Sequence, residues 1–81
     1  MKLILDTKER NIAGPRIKTA RLKNNMTQNE LSIKLETLAV YIDRASISKI
    51  EQQKRIITDI ELSALSQILN VSVNWLLEVN K

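Results

Sequence analysis

The sequence predicts an all-α domain. Helix-capping patterns recur at short intervals along the chain, and apolar residues recur at helical spacing. The only β-like alternations, Leu3-Ile4-Leu5 and Val71-Ser72-Val73, are too short to found a sheet. A chain of 81 residues has room for one core and buries only about 60–65% of the surface that it exposes when unfolded. We therefore expect a compact helical bundle.

The first two helices are marked by their ends. Gly14-Pro15 predicts the start of a helix, because proline fits the first helical position, where its missing N–H is not needed. Asn24-Asn25 predicts its end, since asparagine tolerates the left-handed conformation found just after helices. The capping box T-Q-N-E at 27–30 opens a second helix over 28–36.

The third helix follows a loop. Residues 36–42 are expected to hold the end of the second helix and this connection. Asp43 predicts the N-cap of a helix over 44–52, because its carboxylate can accept the unpaired N–H groups of the first turn. Ile47 and Ile50 are spaced to face inward, so the outward side consists of short polar residues, one Arg and one Lys.

Two further helices complete the expected fold. A second capping box, T-D-I-E at 58–61, opens a helix that reaches about Asn70. This helix is apolar around much of its girth, which is typical of a central buried helix. Its apolar residues are Ile60, Ala64, Leu65, Ile68 and Leu69. Ser72 caps a short last helix, in which Trp75 and Leu76 are expected to cover the core rather than form a dimer contact.

Composition argues against an enzyme. The chain has no Cys and no His, which removes disulfides, thiolate metal sites and the commonest general base. No pair of carboxylates stands out, and no glycine-rich phosphate loop exists. No apolar run approaches the roughly 20 residues of a membrane span, and the N-terminal apolar stretch is too short for a signal peptide. No cofactor is expected, and a cytoplasmic location is expected by default.

Charge is distributed unevenly along the chain. Residues 1–55 carry 12 Lys/Arg and 6 Asp/Glu, a net of +6, whereas residues 56–81 have a net of −2. Such asymmetry suggests a polyanionic partner. On charge alone, a solvated surface with a modest excess of lysine explains the pattern equally well.

Three segments, in this order, resemble the phage-repressor-type (Cro-like, XRE) helix-turn-helix family. They are T-Q-N-E-L-S-I-K-L at 27–35, S-I-S-K-I-E at 46–51 and D-I-E-L-S-A-L-S-Q-I-L-N-V-S-V-N-W-L-L at 59–77. The resemblance implies a five-helix lambda-repressor-like DNA-binding domain over 15–81, preceded by an N-terminal arm over 1–14. It also implies that helix 44–52 is the recognition helix, which enters the major groove of double-stranded DNA.

The chain departs from the family pattern in two places. Roughly five extra residues separate Leu35 from Ile47, so the loop between the second and third helices is elongated. A longer loop is tolerable, because its closure entropy grows only slowly with length. The second departure is Gln53, where the family often has Gly after the recognition helix.

The resemblance also implies roles for individual residues. The expected base-reading residues are Asp43, Arg44, Ala45, Ser46 and Lys49, and the expected phosphate-binding residues are Gln28, Lys54 and Arg55. Arg21 and Glu51 resemble a structural ion pair that bridges the first and third helices. From the residues of the third helix alone, an ordinary solvated face would be the better interpretation; the flanking pattern reverses that preference.

The predicted function is a sequence-specific transcription regulator, expected to be a repressor, that binds as a homodimer. A dimer contact would come from residues 59–78 or from the arm, through Leu3, Ile4 and Leu5. The alternative is an antitoxin-like or other protein-interaction module of the same fold, which predicts an exposed apolar patch around Leu38, Val40 and Tyr41. A small enzyme is a weaker alternative and would need a deep pocket.

Overall fold

The computed structural model describes residues 8–78. Within this stretch the chain forms five helices and no strand: α1 (Gly14–Lys23), α2 (Gln28–Glu36), α3 (Arg44–Glu51), α4 (Asp59–Leu69) and α5 (Val73–Leu76). Both α1 and α2 pack against α3, and α4 packs against α1, α2 and α5. The expectation of an all-α, five-helix fold is confirmed.

The helices begin where the capping patterns predict. At α2 the Thr27 side chain accepts from the Glu30 N–H, and the Glu30 carboxylate accepts from the Thr27 N–H, both at 3.0 Å. The same reciprocal pair forms at α4 between Thr58 and Glu61. Each box satisfies two N–H groups that the helix itself cannot pair. Asp43 caps α3, whose last residue is Glu51, and Gln52 serves as its C-cap.

The core lies where all five helices meet. Its largest fully buried side chains are Ile17, Leu31, Leu35, Ile47, Ile50, Leu65, Leu69 and Leu76. Ile60, one of the apolar residues that suggested a buried fourth helix, is instead 70% exposed. Ile60 lies on the same side of α4 as the exposed Gln67, two turns later, whereas Leu65 and Leu69 face the core. Trp75 is half-buried, and the Arg16 guanidinium lies 4.9 Å from its ring centroid.

The loop between α2 and α3 is fixed at both ends. Beyond α2, Ala39 adopts a left-handed conformation with φ of 59°, and the Val40 N–H donates to the Leu35 carbonyl. At the other end, Ser32 Oγ donates to the Ile42 carbonyl at 2.6 Å. Val40 and Ile42 point into the core while Tyr41, between them, is exposed. The extra residues therefore close back onto α2 before α3 begins.

The start of α1 lies against the end of α3. A side chain added at Gly14 would run into the Ile50 carbonyl oxygen, so glycine permits this approach. Just before it, Asn11 Nδ2 donates to the carbonyls of Ile50 and Arg55, at 3.0 and 2.8 Å. Residues 11–13, which the sequence analysis assigns to the arm, thus contact the domain.

Candidate nucleic-acid interface

Helix α3 has two distinct sides. Ile47, Ile50 and Glu51 are buried, whereas Arg44, Ala45 and Lys49 are exposed. Ser46 and Ser48 lie between these sides and are half-buried. The exposed side therefore combines two cations with side chains no larger than serine. Such a surface allows another molecule to approach the helix backbone closely.

Arg21 and Glu51 form a bidentate ion pair beneath α3. Arg21 Nε donates to Glu51 Oε2 at 2.7 Å, and Arg21 Nη2 donates to Glu51 Oε1 at 3.1 Å. The two side chains are only 9% and 3% exposed. Arg21 Nη1 also donates to the Met26 carbonyl at 2.8 Å. The pair ties α1 to α3, and the hydrogen bonds offset part of the cost of burying two charges.

Gln28 extends this pair to the surface. Its Nε2 donates to Glu51 Oε1 at 3.1 Å, while its Oε1 lies 3.4 Å from Arg44 Nη1. The second contact is long and exposed, so it orients Arg44 only weakly. Gln28 therefore connects a buried carboxylate to an exposed guanidinium at the junction of α2 and α3.

Asp43 caps the first turn of α3. Its Oδ1 accepts from the Ser46 N–H at 2.7 Å. This backbone hydrogen bond, first among several causes, lowers the pKa of the Asp43 carboxyl group below its ordinary value. The carboxylate is thus charged at neutral pH, and its Oδ1 caps the helix. Asp43 was predicted to read bases; in this structure its carboxylate holds the start of the helix.

The two basic residues after α3 differ in their surroundings. Lys54 is exposed. Arg55 is half-buried and donates from Nη1 and Nη2 to the two Glu61 carboxylate oxygens, at 2.9 and 2.8 Å. This hydrogen bonding lowers the pKa of the Glu61 carboxyl group and raises that of Arg55. Arg55 was predicted, together with Lys54, to bind phosphate; here it lies in an ion pair with Glu61.

Sequence reasoning missed three of these connections. The Arg55–Glu61 pair spans a loop, so no helical spacing indicates it. The one available signal was that Glu61, the acid of the second capping box, lies six residues after Arg55. The Gln28–Glu51 bond and the Asn11 bonds to the carbonyls of Ile50 and Arg55 join residues 23 to 44 positions apart. No local signal exists for contacts of that kind.

Residues 8–78 contain neither a membrane-spanning helix nor a cluster of potential metal ligands. No helix there has the length and apolar character needed to cross a membrane. No group of three or more potential metal-binding carboxylates occurs in the same part of the chain.

Comparison with known proteins yields one family. Residues 17–76 match the helix-turn-helix family HTH_3. No curated protein sequence matches the chain significantly.

Two solved structures share this fold. One is the P22 c2 repressor, solved in complex with a synthetic operator in the presence of Tl⁺. It is 26% identical with a TM-score of 0.72, and the match covers 86% of this chain and 98% of that one. The other is SinR, solved in complex with SinI. It is 30% identical with a TM-score of 0.68, and the match covers 82% of this chain and 60% of that one.

The matched region contains all of α2, α3 and α4 and the buried Arg21–Glu51 pair. The family consists of DNA-binding regulators rather than enzymes, which agrees with the expectation from composition. The chain therefore belongs to the helix-turn-helix family of DNA-binding transcription regulators.

Proposed function

We propose that this protein is a sequence-specific repressor that places α3 in the major groove of double-stranded DNA. The observation that carries the proposal is the outward side of α3. Arg44, Ala45 and Lys49 are exposed together, while the opposite side is fixed in the core by Ile47 and Ile50. A rigid helix with a small, basic outer surface matches the shape and charge of the major groove.

Base reading is assigned to the exposed side chains of this helix. Arg44 can donate two hydrogen bonds to guanine O6 and N7, and Ala45 can contact a thymine methyl group. Lys49 reaches guanine or phosphate, and Ser46 lies beside them. Asp43 lies beside them at the start of the helix, where its Oδ1 accepts from the Ser46 amide.

Phosphate binding is assigned to the ends of the helices beside α3. Gln28 begins α2, and the N–H groups of a helix's first turn attract an anion. When DNA binds, the Gln28 side-chain amide can donate to a phosphate, while the Arg21–Glu51 pair continues to hold α1 against α3. Lys54 extends the positive surface and is available to a second phosphate.

Arg55 has a different place in the proposal. Its two terminal nitrogens face Glu61, so its charge is largely compensated. We propose that it fixes the loop that carries Lys54, and that any phosphate contact by Arg55 is secondary.

Two copies are proposed to bind a palindromic site, as a twofold dimer of such domains requires. The contact between copies is assigned to residues 59–78 or to the arm. The protein is proposed to act in the cytoplasm, where a DNA regulator without a cofactor meets its operator.

The test is selection from a pool of random duplex DNA, followed by sequencing, at two salt concentrations. Enrichment of a palindromic motif, with affinity that falls as salt rises, supports the proposal. Weak binding without any enriched motif contradicts sequence-specific recognition. A matched control is the Arg44→Ala, Lys49→Ala double variant, whose core and caps are unchanged and which should lose the motif.

An alternative function is binding of a protein partner through the elongated loop. Tyr41 is 77% exposed and Leu38 is also exposed, whereas Val40 is buried. SinR, one of the similar structures, was solved in complex with the protein SinI. If no DNA is retained even at low salt, and a Tyr41→Ser variant loses a protein partner, this alternative replaces the repressor.

A further inference from the structure

Asn11 lies just before α1 and contacts the segment that follows α3. Its side-chain Nδ2 donates to the Ile50 carbonyl at 3.0 Å and to the Arg55 carbonyl at 2.8 Å. One amide group therefore joins the end of the helix to a residue five positions later. The Asn11 Oδ1 accepts from the Gly14 N–H at 2.8 Å. The proposed function assigns no role to this half-buried side chain.

Gln53 fastens the same two parts of the chain. Its carbonyl accepts from the Arg10 N–H at 2.9 Å, and its Nε2 donates to the Asn11 carbonyl at 3.0 Å. Gln53 has a φ of 62°, a left-handed conformation that glycine adopts more easily. The chain nevertheless has a long side chain here, and that side chain holds Asn11. The segment before α1 and the segment after α3 are thus hydrogen-bonded in both directions.

Lys54 lies inside the segment that these bonds hold. Its side chain is exposed, and its N–H donates to the Lys49 carbonyl at 2.8 Å. The residue before it, Gln53, is bound to the segment that precedes α1. The residue after it, Arg55, accepts from Asn11 through its carbonyl. The backbone of Lys54 is therefore fixed on both sides, while its side chain lies at the surface.

We propose that Asn11 is a positioning residue for phosphate binding by Lys54. This inference rests on the proposed function, in which Lys54 contacts the DNA backbone. A lysine side chain loses rotational freedom when it binds a phosphate, and ordering a loose backbone at the same time would add to that cost. Because Asn11 fixes the backbone before DNA arrives, it reduces the cost of ordering on binding. It does so without touching DNA, so its effect should be the same on all sequences.

Amide hydrogen exchange in the absence of DNA tests whether Asn11 holds this segment. In Asn11→Ala we expect the Lys54 N–H to exchange about three- to ten-fold faster. The matched control is Asn24→Ala, at the opposite end of α1. Asn24 Nδ2 also donates to two carbonyls, those of Ala20 and Leu69, at 2.8 and 3.1 Å. Equal acceleration at Lys54 in both variants would overturn the proposal, because general destabilisation would then explain it.

A second variant separates the two functions of the Asn11 side chain. Asn11→Asp keeps an oxygen for the Gly14 N–H and removes only the donors to the segment after α3. It should accelerate exchange of the Lys54 N–H at least as much as Asn11→Ala. Exchange at the wild-type rate would overturn the proposal, since the donors would then have no hold on the segment.

A double-mutant cycle on duplex DNA tests whether Asn11 acts through Lys54. In the wild-type background, Asn11→Ala should weaken binding to all sequences by about three- to ten-fold. In the Lys54→Ala background, the same substitution should change the affinity by less than about two-fold, because the side chain that it positions is gone. Equal losses in both backgrounds would overturn the proposal, since a purely structural role does not depend on Lys54.

This proposal and the proposed function can fail separately. The exchange measurements use no DNA, so an unchanged exchange rate at Lys54 contradicts the role of Asn11 even in a protein that binds DNA. Absence of DNA binding by the wild-type protein contradicts the proposed function instead.

Discussion

Gln28 Nε2 donates a hydrogen bond of 3.1 Å to Glu51 Oε1, so the first residue of α2 is tied to the last residue of α3. The same oxygen accepts from Arg21 Nη2. Three helices therefore meet at one carboxylate. This carboxylate lies beneath the proposed DNA surface rather than on it, and it connects the helices that position that surface.

Glu51→Gln should destabilise the fold by about 3–5 kcal/mol, because it leaves the Arg21 charge buried without its counter-ion. Urea unfolding measures the change. The matched control is Glu78→Gln: Glu78 is 3.7 Å from Arg16, and its side chain is 62% exposed. That substitution should cost under about 0.5 kcal/mol. Similar losses in both variants would show that burial of the Arg21–Glu51 pair is not what matters.

Arg44→Ala and Lys54→Ala should weaken DNA binding in different ways. Arg44→Ala should cost about 1–3 kcal/mol on the preferred sequence and relax the preference at one base pair. Lys54→Ala should weaken binding to all sequences alike and lower the salt slope by about one unit. Binding titrations on matched and mismatched duplexes at several salt concentrations separate the two. An equal loss on every sequence for Arg44→Ala would remove its base-reading assignment.

Gly14→Ala should destabilise the protein by about 1–3 kcal/mol, the usual cost of overpacking. The added methyl group meets the Ile50 carbonyl oxygen, which is backbone and cannot swing aside. Lys18→Ala, at an exposed position of the same helix, should change stability by less than about 0.5 kcal/mol. Thermal unfolding compares the two variants. A neutral Gly14→Ala would mean that α1 can move away from α3 at little cost.

Ala39→Gly should stabilise the protein by about 0.5–1 kcal/mol. Relief of the left-handed strain of a non-glycine residue stabilises the fold by about 1–2 kcal/mol. The greater freedom of glycine in the unfolded chain offsets about half of that gain. Gln53 has a similar φ of 62°, but its side chain donates to the Asn11 carbonyl. Gln53→Gly should therefore gain less than Ala39→Gly. Chemical denaturation of both variants checks this order, and the reverse order would refute it.

The Arg55–Glu61 pair should make stability depend on acid pH. Its hydrogen bonds hold the pKa of the Glu61 carboxyl group below its ordinary value. As the pH falls, this carboxylate is therefore protonated in the unfolded chain before it is protonated in the folded protein. The stabilisation is present above the unfolded pKa of about 4.3 and is lost as pH falls through the folded pKa. Glu61→Gln should lower the melting temperature at pH 7 and matter much less at pH 3. A difference that stays constant between these pH values would count against the mechanism.

Local signals predicted much of this fold. The capping boxes at Thr27 and Thr58 and the Asp43 cap depend on residues three positions apart, so the sequence contains the whole interaction. Ile60 shows the limit of this reasoning. Its spacing from Ala64 is helical, but spacing alone does not reveal how far around α4 the buried side extends.

Prediction of the candidate site was less complete for the same reason. The outward position of Arg44, Ala45 and Lys49 follows from helical periodicity. The ion pair of Arg55 with Glu61 and the bond from Gln28 to Glu51 depend on tertiary placement. These contacts change what each side chain can offer to DNA, which no local pattern encodes.

The hydrogen bond from Ser32 to the Ile42 carbonyl holds the end of the elongated loop against α2, just before α3 begins. Because the chain is hydrogen-bonded to α2 immediately before α3, we expect changes at the exposed loop residues Thr37, Leu38 and Tyr41 to leave the proposed DNA-binding surface in place. The exposed part of the loop can thus acquire a new binding partner, or accept a grafted peptide, without a change in the proposed DNA preference.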